Sequence, residues 1–108
     1  MYEVHLFRGE GTVGDGNSLG YEAGARHPVI VFSRQPIASE HDFPLAKERA
    51  EGAGLLDVDL QRGGTLQVER INSPQFGDAY ERALSSGFAI IVYSEPVAVA
   101  TSASTSDA

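Results

Sequence analysis

The chain has 108 residues, of which 15 are acidic and eight are basic, so its formal net charge is −7, and it contains no cysteine. This charge opposes binding to nucleic-acid phosphates and anionic membranes, and the lack of cysteine excludes disulfides, cysteine nucleophiles and thiolate metal sites. The first residues lack the basic and apolar regions of a secretion signal, and no apolar run reaches the roughly 20 residues that cross a bilayer, which predicts a cytoplasmic protein.

The amino-terminal part predicts one strand and then a long loop. Tyr2 to Arg8 alternates imperfectly between polar and apolar side chains and ends before a glycine, as a strand does. Gly9 to Gly24 contains six glycines in sixteen residues, and long loops inside small domains are usually functional or mobile. A G-x-G-x-x-G pattern occupies Gly9 to Gly14, but no helix signal follows it, so nucleotide binding is not indicated.

A central strand and a first helix follow. Pro28 to Ser33 is a continuous run of mainly β-branched and aromatic residues, which is typical of a strand in the middle of a sheet, covered on at least one face. Asp42 is a helix-capping residue, Pro44 suits a first turn and Gly52 suits a helix end. The segment from Asp42 to Gly52 therefore predicts a helix.

The next part of the chain predicts a β-hairpin. Apolar and polar residues alternate strictly over Leu56 to Leu60 and again over Leu66 to Glu69, as they do in strands with one exposed face. Between them, Arg62 to Thr65 contains two adjacent glycines, which favour a tight turn.

The carboxy-terminal part carries the clearest signals for regular structure. Ser73 can cap a helix that begins at Pro74 and ends at Gly87, and Phe88 to Tyr93 follows as an apolar strand. Apolar residues recur at helical spacing between these ends, at Phe76, Ala79, Tyr80, Ala83 and Leu84. The last residues, Val97 to Ala108, are rich in Ala, Ser and Thr and predict a disordered tail.

This element order predicts an α+β fold. The order is β-β-α-β-β-α-β, and its last six elements match a ferredoxin-like arrangement. We expect one domain over residues 1–96, with a single mainly antiparallel sheet of about five strands and two helices on one face of it. A sheet of the same elements in a different strand order is the alternative.

Charge and size favour a small acidic, non-enzymatic protein-binding module. Immunity, inhibitor and regulatory proteins of bacterial type act through such acidic faces, where electrostatic attraction speeds the encounter with a basic protein partner. The exposed side of the predicted hairpin and the glycine-rich loop supply the candidate contact residues, which are Asp57, Asp59, Glu69, Glu10 and Asp15.

The alternative is a small-molecule-binding protein or a cofactor-free dimeric enzyme. Its pocket would lie between the sheet and the helices, with His5, His27 and Tyr21 beneath a glycine-rich loop that closes as a lid. The sequence has no recognisable catalytic motif, and the spacing of its histidines does not favour a metal site, so we expect no metal and no cofactor. A homodimer formed through an exposed sheet edge is a third expectation.

Overall fold

The computed structural model describes residues 1–95 as one antiparallel sheet of four strands with two α-helices. The elements are β1 (Tyr2–Val13), β2 (Arg26–Pro36), α1 (Phe43–Gly52), β3 (Leu55–Thr65), a short 3-10 helix (Val68–Arg70), α2 (Pro74–Ser86) and β4 (Phe88–Val92). The strands lie in the order β3-β1-β2-β4, so β3 and β4 are the edges. Neither α-helix within residues 1–95 is long and apolar enough to cross a bilayer. The predicted tail, residues 97–108, lies outside the described part.

The helix ends are confirmed as the sequence predicts them. Asp42 caps α1 by accepting a hydrogen bond from the backbone N–H of Leu45 at 3.0 Å. Ser73 caps α2 in the same way, with its Oγ 3.2 Å from the backbone nitrogen of Phe76. Gly87 then ends α2 in the left-handed conformation that glycine adopts without strain, and β4 begins at the next residue.

The two helices cover opposite faces of the sheet, which contradicts the expectation that they share one face. In β2, Val29 and Val31 belong to the core cluster that includes the buried residues of α1, whereas Ile30 and Phe32 belong to the cluster of α2. Successive side chains of a strand point to opposite faces, so these clusters lie on opposite sides of β2. We call the two sides the α1 face and the α2 face. The continuous apolar run of β2 is long because both of its faces are buried.

The prediction of a hairpin is wrong, because β3 continues through Gly63 and Gly64 to Thr65. The described part therefore has four strands instead of five. A Cβ atom on Gly63 would lie 2.8 Å from the ring of Phe43, which packs edge-on against Phe7 at 5.0 Å between ring centroids. Gly63 therefore makes room for an aromatic side chain of α1 instead of making a turn. The residues after Thr65 form a bend and the 3-10 helix, and the ferredoxin-like order is not confirmed.

The glycine-rich segment is also partly strand. β1 extends to Val13, and a Cβ on Gly9 would lie 1.9 Å from the carbonyl oxygen of Asp59, so glycine is needed where β1 passes β3 at an irregular register. The remaining connection between β1 and β2 is organised by Asn17. Its side chain donates to the carbonyls of Gly14 and Tyr21 and accepts from backbone N–H groups within the loop.

Candidate functional site

One cleft on the α2 face stands out from the rest of the surface. Helix α2 packs against β4, β2 and β1, whereas β3 packs against α1, so the α2 face is left open beside the beginning of α2. The cavity there has a volume of about 550 Å³. We call it the arginine cleft, and its lining includes Leu6, Arg8, Leu66, Arg70, Ser73 and Phe76.

Three segments position these side chains. In β1, Leu6 and Arg8 point to the same face because they are two residues apart. After β3, the backbone N–H of Leu66 donates to the carbonyl of Val4 at 2.8 Å, which holds the chain beside β1 before the 3-10 helix brings in Arg70. Ser73, the cap of α2, follows three residues after Arg70, so all three segments meet at the cleft.

The cleft is positively charged although the whole chain is acidic. Neither Arg8 nor Arg70 forms an ion pair within residues 1–95, whereas Arg26 pairs with Glu10 and Arg82 pairs with Asp78. The guanidinium carbon of Arg8 lies 5.9 Å from the ring centroid of Phe76. No Asp or Glu in the part of the chain that the structure describes lines the cleft. An adjoining cavity of about 180 Å³ adds a third arginine, Arg62, and again no acid.

The lining suits binding better than proton transfer. Arginine side chains stay protonated at every ordinary pH, and among the described residues no His, Asp, Glu or Lys lines the cleft to exchange a proton. Ser73 is the one hydroxyl at the beginning of α2, and its Oγ already accepts the capping hydrogen bond. The arginines of the cleft can therefore hold a negative charge. Thr65 also lines the cleft, and its Oγ1 lies 3.2 Å from Nε2 of His41, which is not part of the lining.

The five acidic residues predicted to contact a partner are only partly brought together. Asp59 lies directly opposite Glu10 in the β1–β3 register, and Asp57 is exposed nearby on β3. Glu10 is not free, because Arg26 Nε lies 2.8 Å from its carboxylate. Asp15 lies in the β1–β2 loop, and Glu69 lies in the 3-10 helix beyond the opposite end of β3.

The predicted pocket residues are separated in a similar way. Tyr21 and His27 do meet, with ring centroids 5.3 Å apart, and their polar atoms bond to the carbonyls of Val92 and Tyr93 at 2.9 and 2.7 Å. His27 is buried and pairs with Gly11, whereas His5 lies near the other end of β1. Tyr21 thus fixes the end of β4 to the β1–β2 loop, and His27 fixes the residue after β4 to β2.

His5 is buried on the α1 face, next to the half-buried Glu3 and the exposed His41. Its Nε2 lies 2.7 Å from the carboxylate of Glu3, and its ring centroid lies 4.5 Å from that of His41. Its Nδ1 has no hydrogen-bond partner within residues 1–95. The hydrogen bond from His5 lowers the pKa of Glu3 below its usual value. No group of three His, Asp or Glu side chains within residues 1–95 is arranged to hold a metal ion.

The arginine cleft is not evident from the sequence because its parts are distant along the chain. Arg8 belongs to the first strand, and Arg62 and Arg70 follow half a chain later. The chain has only eight basic residues, and three of them lie near this cleft. The sequence cannot group these three arginines, because their proximity depends on β3 lying beside β1. Comparisons with protein families, with curated proteins and with solved structures found no match to this chain.

Proposed function

We propose that this chain is a small, non-enzymatic binding protein that holds an anionic small molecule in the arginine cleft. One observation supports this most directly. Arg8 and Arg70, both without an ion-pair partner among residues 1–95, line a cavity of about 550 Å³ that contains no carboxylate, in a protein with a net charge of −7.

The size and lining of the cleft define the chemistry of the ligand. Small-molecule sites commonly have volumes of about 300 to 1,000 Å³, with apolar walls and a few charged or polar groups. Here Leu6, Leu66 and Phe76 form the apolar wall. A guanidinium group binds a carboxylate or phosphate through two parallel hydrogen bonds. The ligand we propose therefore carries an acidic group and an apolar portion.

Binding can be tested with probes that differ in charge alone. The full chain is titrated with benzoate and with benzamide, which has a similar shape and no charge, while calorimetry and thermal unfolding are followed. Because a ligand that binds the folded state raises Tm, we expect benzoate to stabilise the protein and benzamide to have little effect. Equal stabilisation by both probes would contradict a site built for anions.

Variants of the cleft give the matched comparison. We expect Arg8→Gln and Arg70→Gln each to weaken benzoate binding by about tenfold, because each removes a hydrogen bond to a charged group. Arg82→Gln is the control, since Arg82 is on α2 but lies outside the cleft and pairs with Asp78. Unchanged affinity in both cleft variants would place the ligand elsewhere.

The variant Ser73→Asp tests anion binding in the cleft without removing the cap of α2. Aspartate caps a helix about as well as serine, so α2 should remain stable, while the added carboxylate repels an anion in the cleft. We expect unfolding of the free variant at nearly the wild-type temperature, together with loss of benzoate binding. Binding that persists in this variant would argue against the cleft as the site.

A protein partner with a basic surface is the second candidate function, as for immunity, inhibitor or regulatory proteins. It is favoured by the position of Asp59 directly opposite Glu10, with Asp57 exposed beside them. In a salt-dependent pull-down with the full chain, neutralising Asp57, Asp59 and Glu69 together should release a basic protein. Capture that is unaffected by the three substitutions and by salt would remove this candidate.

A further inference from the structure

The outer edge of β3 is the longest unpaired edge of the sheet. β3 has 11 residues and pairs only with β1, and no element within residues 1–95 covers its other side. Exposed edges of this length offer a row of free N–H and C=O groups to another strand. The other edge, β4, has five residues and lies between Leu19 and Arg82, which line cavities along it.

The charges on β3 are arranged unfavourably within a single chain. Arg62 lies directly opposite Arg8 in the register, and Asp59 lies directly opposite Glu10. Like charges opposite one another on neighbouring strands repel. Arg26 neutralises Glu10, but Arg62 has no ion-pair partner within the described residues. These two adjacent pairs make one part of the edge acidic and the next part basic.

We propose that β3 pairs antiparallel with β3 of a second copy of this chain, which joins the two sheets into one of eight strands. Asp57 has a positive φ of 50° and interrupts the edge, so we place the pairing from Val58 to Thr65, a segment whose register with β1 skips Gln61. A two-fold axis through the middle of that segment lies between Gln61 and Arg62. Asp59 of each copy is then diagonal to Arg62 of the other, within reach of a long side chain.

The α1 face of the same edge fits this register. A groove of about 430 Å³ lies between α1 and β3. Its lining consists of the apolar residues Phe43, Pro44, Val58 and Leu60 and the charged residues Lys47 and Asp59. With the axis between Gln61 and Arg62, Leu60 of one copy lies opposite Gly63 of the other. Gly63 is the residue over which the ring of Phe43 packs. In this register Leu60 meets the partner's Phe43, and the apolar part of the groove is covered by the second copy.

The first test is the association state of the full chain. Analytical ultracentrifugation over a range of concentrations should show a monomer–dimer equilibrium. A monomer at every concentration would overturn the proposal without any variant being needed.

The second test exchanges the charges. Asp59→Lys places a lysine near the partner's Arg62, and Arg62→Glu places a glutamate near the partner's Asp59, so each variant alone should dimerise at least about tenfold more weakly. A mixture of the two variants restores one opposite charge at each contact and should form a heterodimer with near wild-type affinity. Glu81→Lys, on the exposed side of α2, is the control and should dimerise normally.

Two results of this second test would overturn the proposal: dimers insensitive to both exchanges, or variants that do not recover when mixed. Circular dichroism of each variant before mixing checks that it is folded. Arg70→Gln distinguishes this proposal from the anion site, because Arg70 lines the cleft and not the β3 edge. It should weaken benzoate binding by about tenfold and keep the dimer.

Discussion

Single glycines decide how closely the elements of this protein approach one another. Gly9→Ala would place a Cβ 1.9 Å from the carbonyl oxygen of Asp59, which is backbone and cannot move aside cheaply. We expect this variant to lower the free energy of unfolding by more than about 2 kcal/mol, because β1 and β3 must separate to admit the methyl group. Denaturant unfolding of the purified variant measures the loss.

Gly52→Ala is the matched control for this effect. A Cβ at Gly52 meets no atom within 4 Å, and the residue is the last of α1 with no positive φ. Alanine should raise the free energy of unfolding by up to about 1 kcal/mol, since it favours helix more than glycine does. If the two alanine variants have the same stability, steric contact at Gly9 does not shape the β1–β3 register.

Glu3 makes the stability depend on pH in a definite direction. The hydrogen bond from His5 lowers the pKa of Glu3 in the folded state, so its ionised form favours folding above the pKa of the unfolded chain. That contribution is lost as the pH falls through the lower, folded pKa. We expect Glu3→Gln to reduce Tm at neutral pH and to have no effect in strong acid.

Thermal unfolding of the wild type and of Glu3→Gln across acidic to neutral pH measures this difference. Glu81→Gln is the comparison, because Glu81 is exposed on α2 and its carboxylate makes no hydrogen bond within residues 1–95. A Tm difference for Glu3→Gln that is the same at every pH would show that the carboxylate charge is not responsible.

At the scale of elements, the beginning of α2 links stability to the candidate site. Ser73 Oγ satisfies the backbone N–H of Phe76, and Phe76 packs against Phe32 with ring centroids 5.5 Å apart. We expect Ser73→Ala to cost about 1 kcal/mol of unfolding free energy, as for other lost helix caps. Ser86→Ala, at the other end of α2, should change stability by less than about 0.5 kcal/mol. Equal effects at both ends would contradict the capping role.

The elements that were predicted correctly are those with local signals. Both predicted helices are confirmed. Each could be predicted because a capping residue, an early proline and a glycine at the end lie within one short segment. The course of β3 was not predictable in the same way, because Gly63 looks like a turn residue until Phe43 is known to pack above it. The sequence also did not show which face of the sheet each helix covers. The apolar run of β2 indicates burial, but the path of the chain between strands and helices decides whether the helices pack on one face or on both.

The candidate site follows the same rule. Arg8, Arg62 and Arg70 come together only because β3 lies beside β1 instead of forming its own hairpin. Acidic residues at alternating positions predict an acidic row on one face of a strand. In the observed register, Glu10 and Asp59 are the one pair of the predicted acidic residues that lie directly opposite each other. Spacing along the chain thus located the charges, but strand order determined which of them meet.

At the scale of the whole molecule, the central strands of the sheet are shielded from solvent and the β3 edge is not. β2 pairs with β1 and β4 and has α1 on one face and α2 on the other, so Val29, Ile30, Val31 and Phe32 are all almost fully buried. β3 pairs on one side only and is mostly exposed. The net charge of −7 is also unequally distributed, with arginines gathered at one end of the β1–β3 pair and acids beside them.

Hydrogen exchange should report this gradient directly. We expect the amides of β2 from Val29 to Phe32 to exchange only through global unfolding, because every neighbouring element must be removed before water reaches them. In β3, amides that point away from β1 have no bonding partner in a single chain and should exchange rapidly in dilute solution. If a second copy pairs with this edge, their protection rises with protein concentration while that of β2 stays constant. Equal protection of β2 and β3 at every concentration would contradict both the layered core and the open edge.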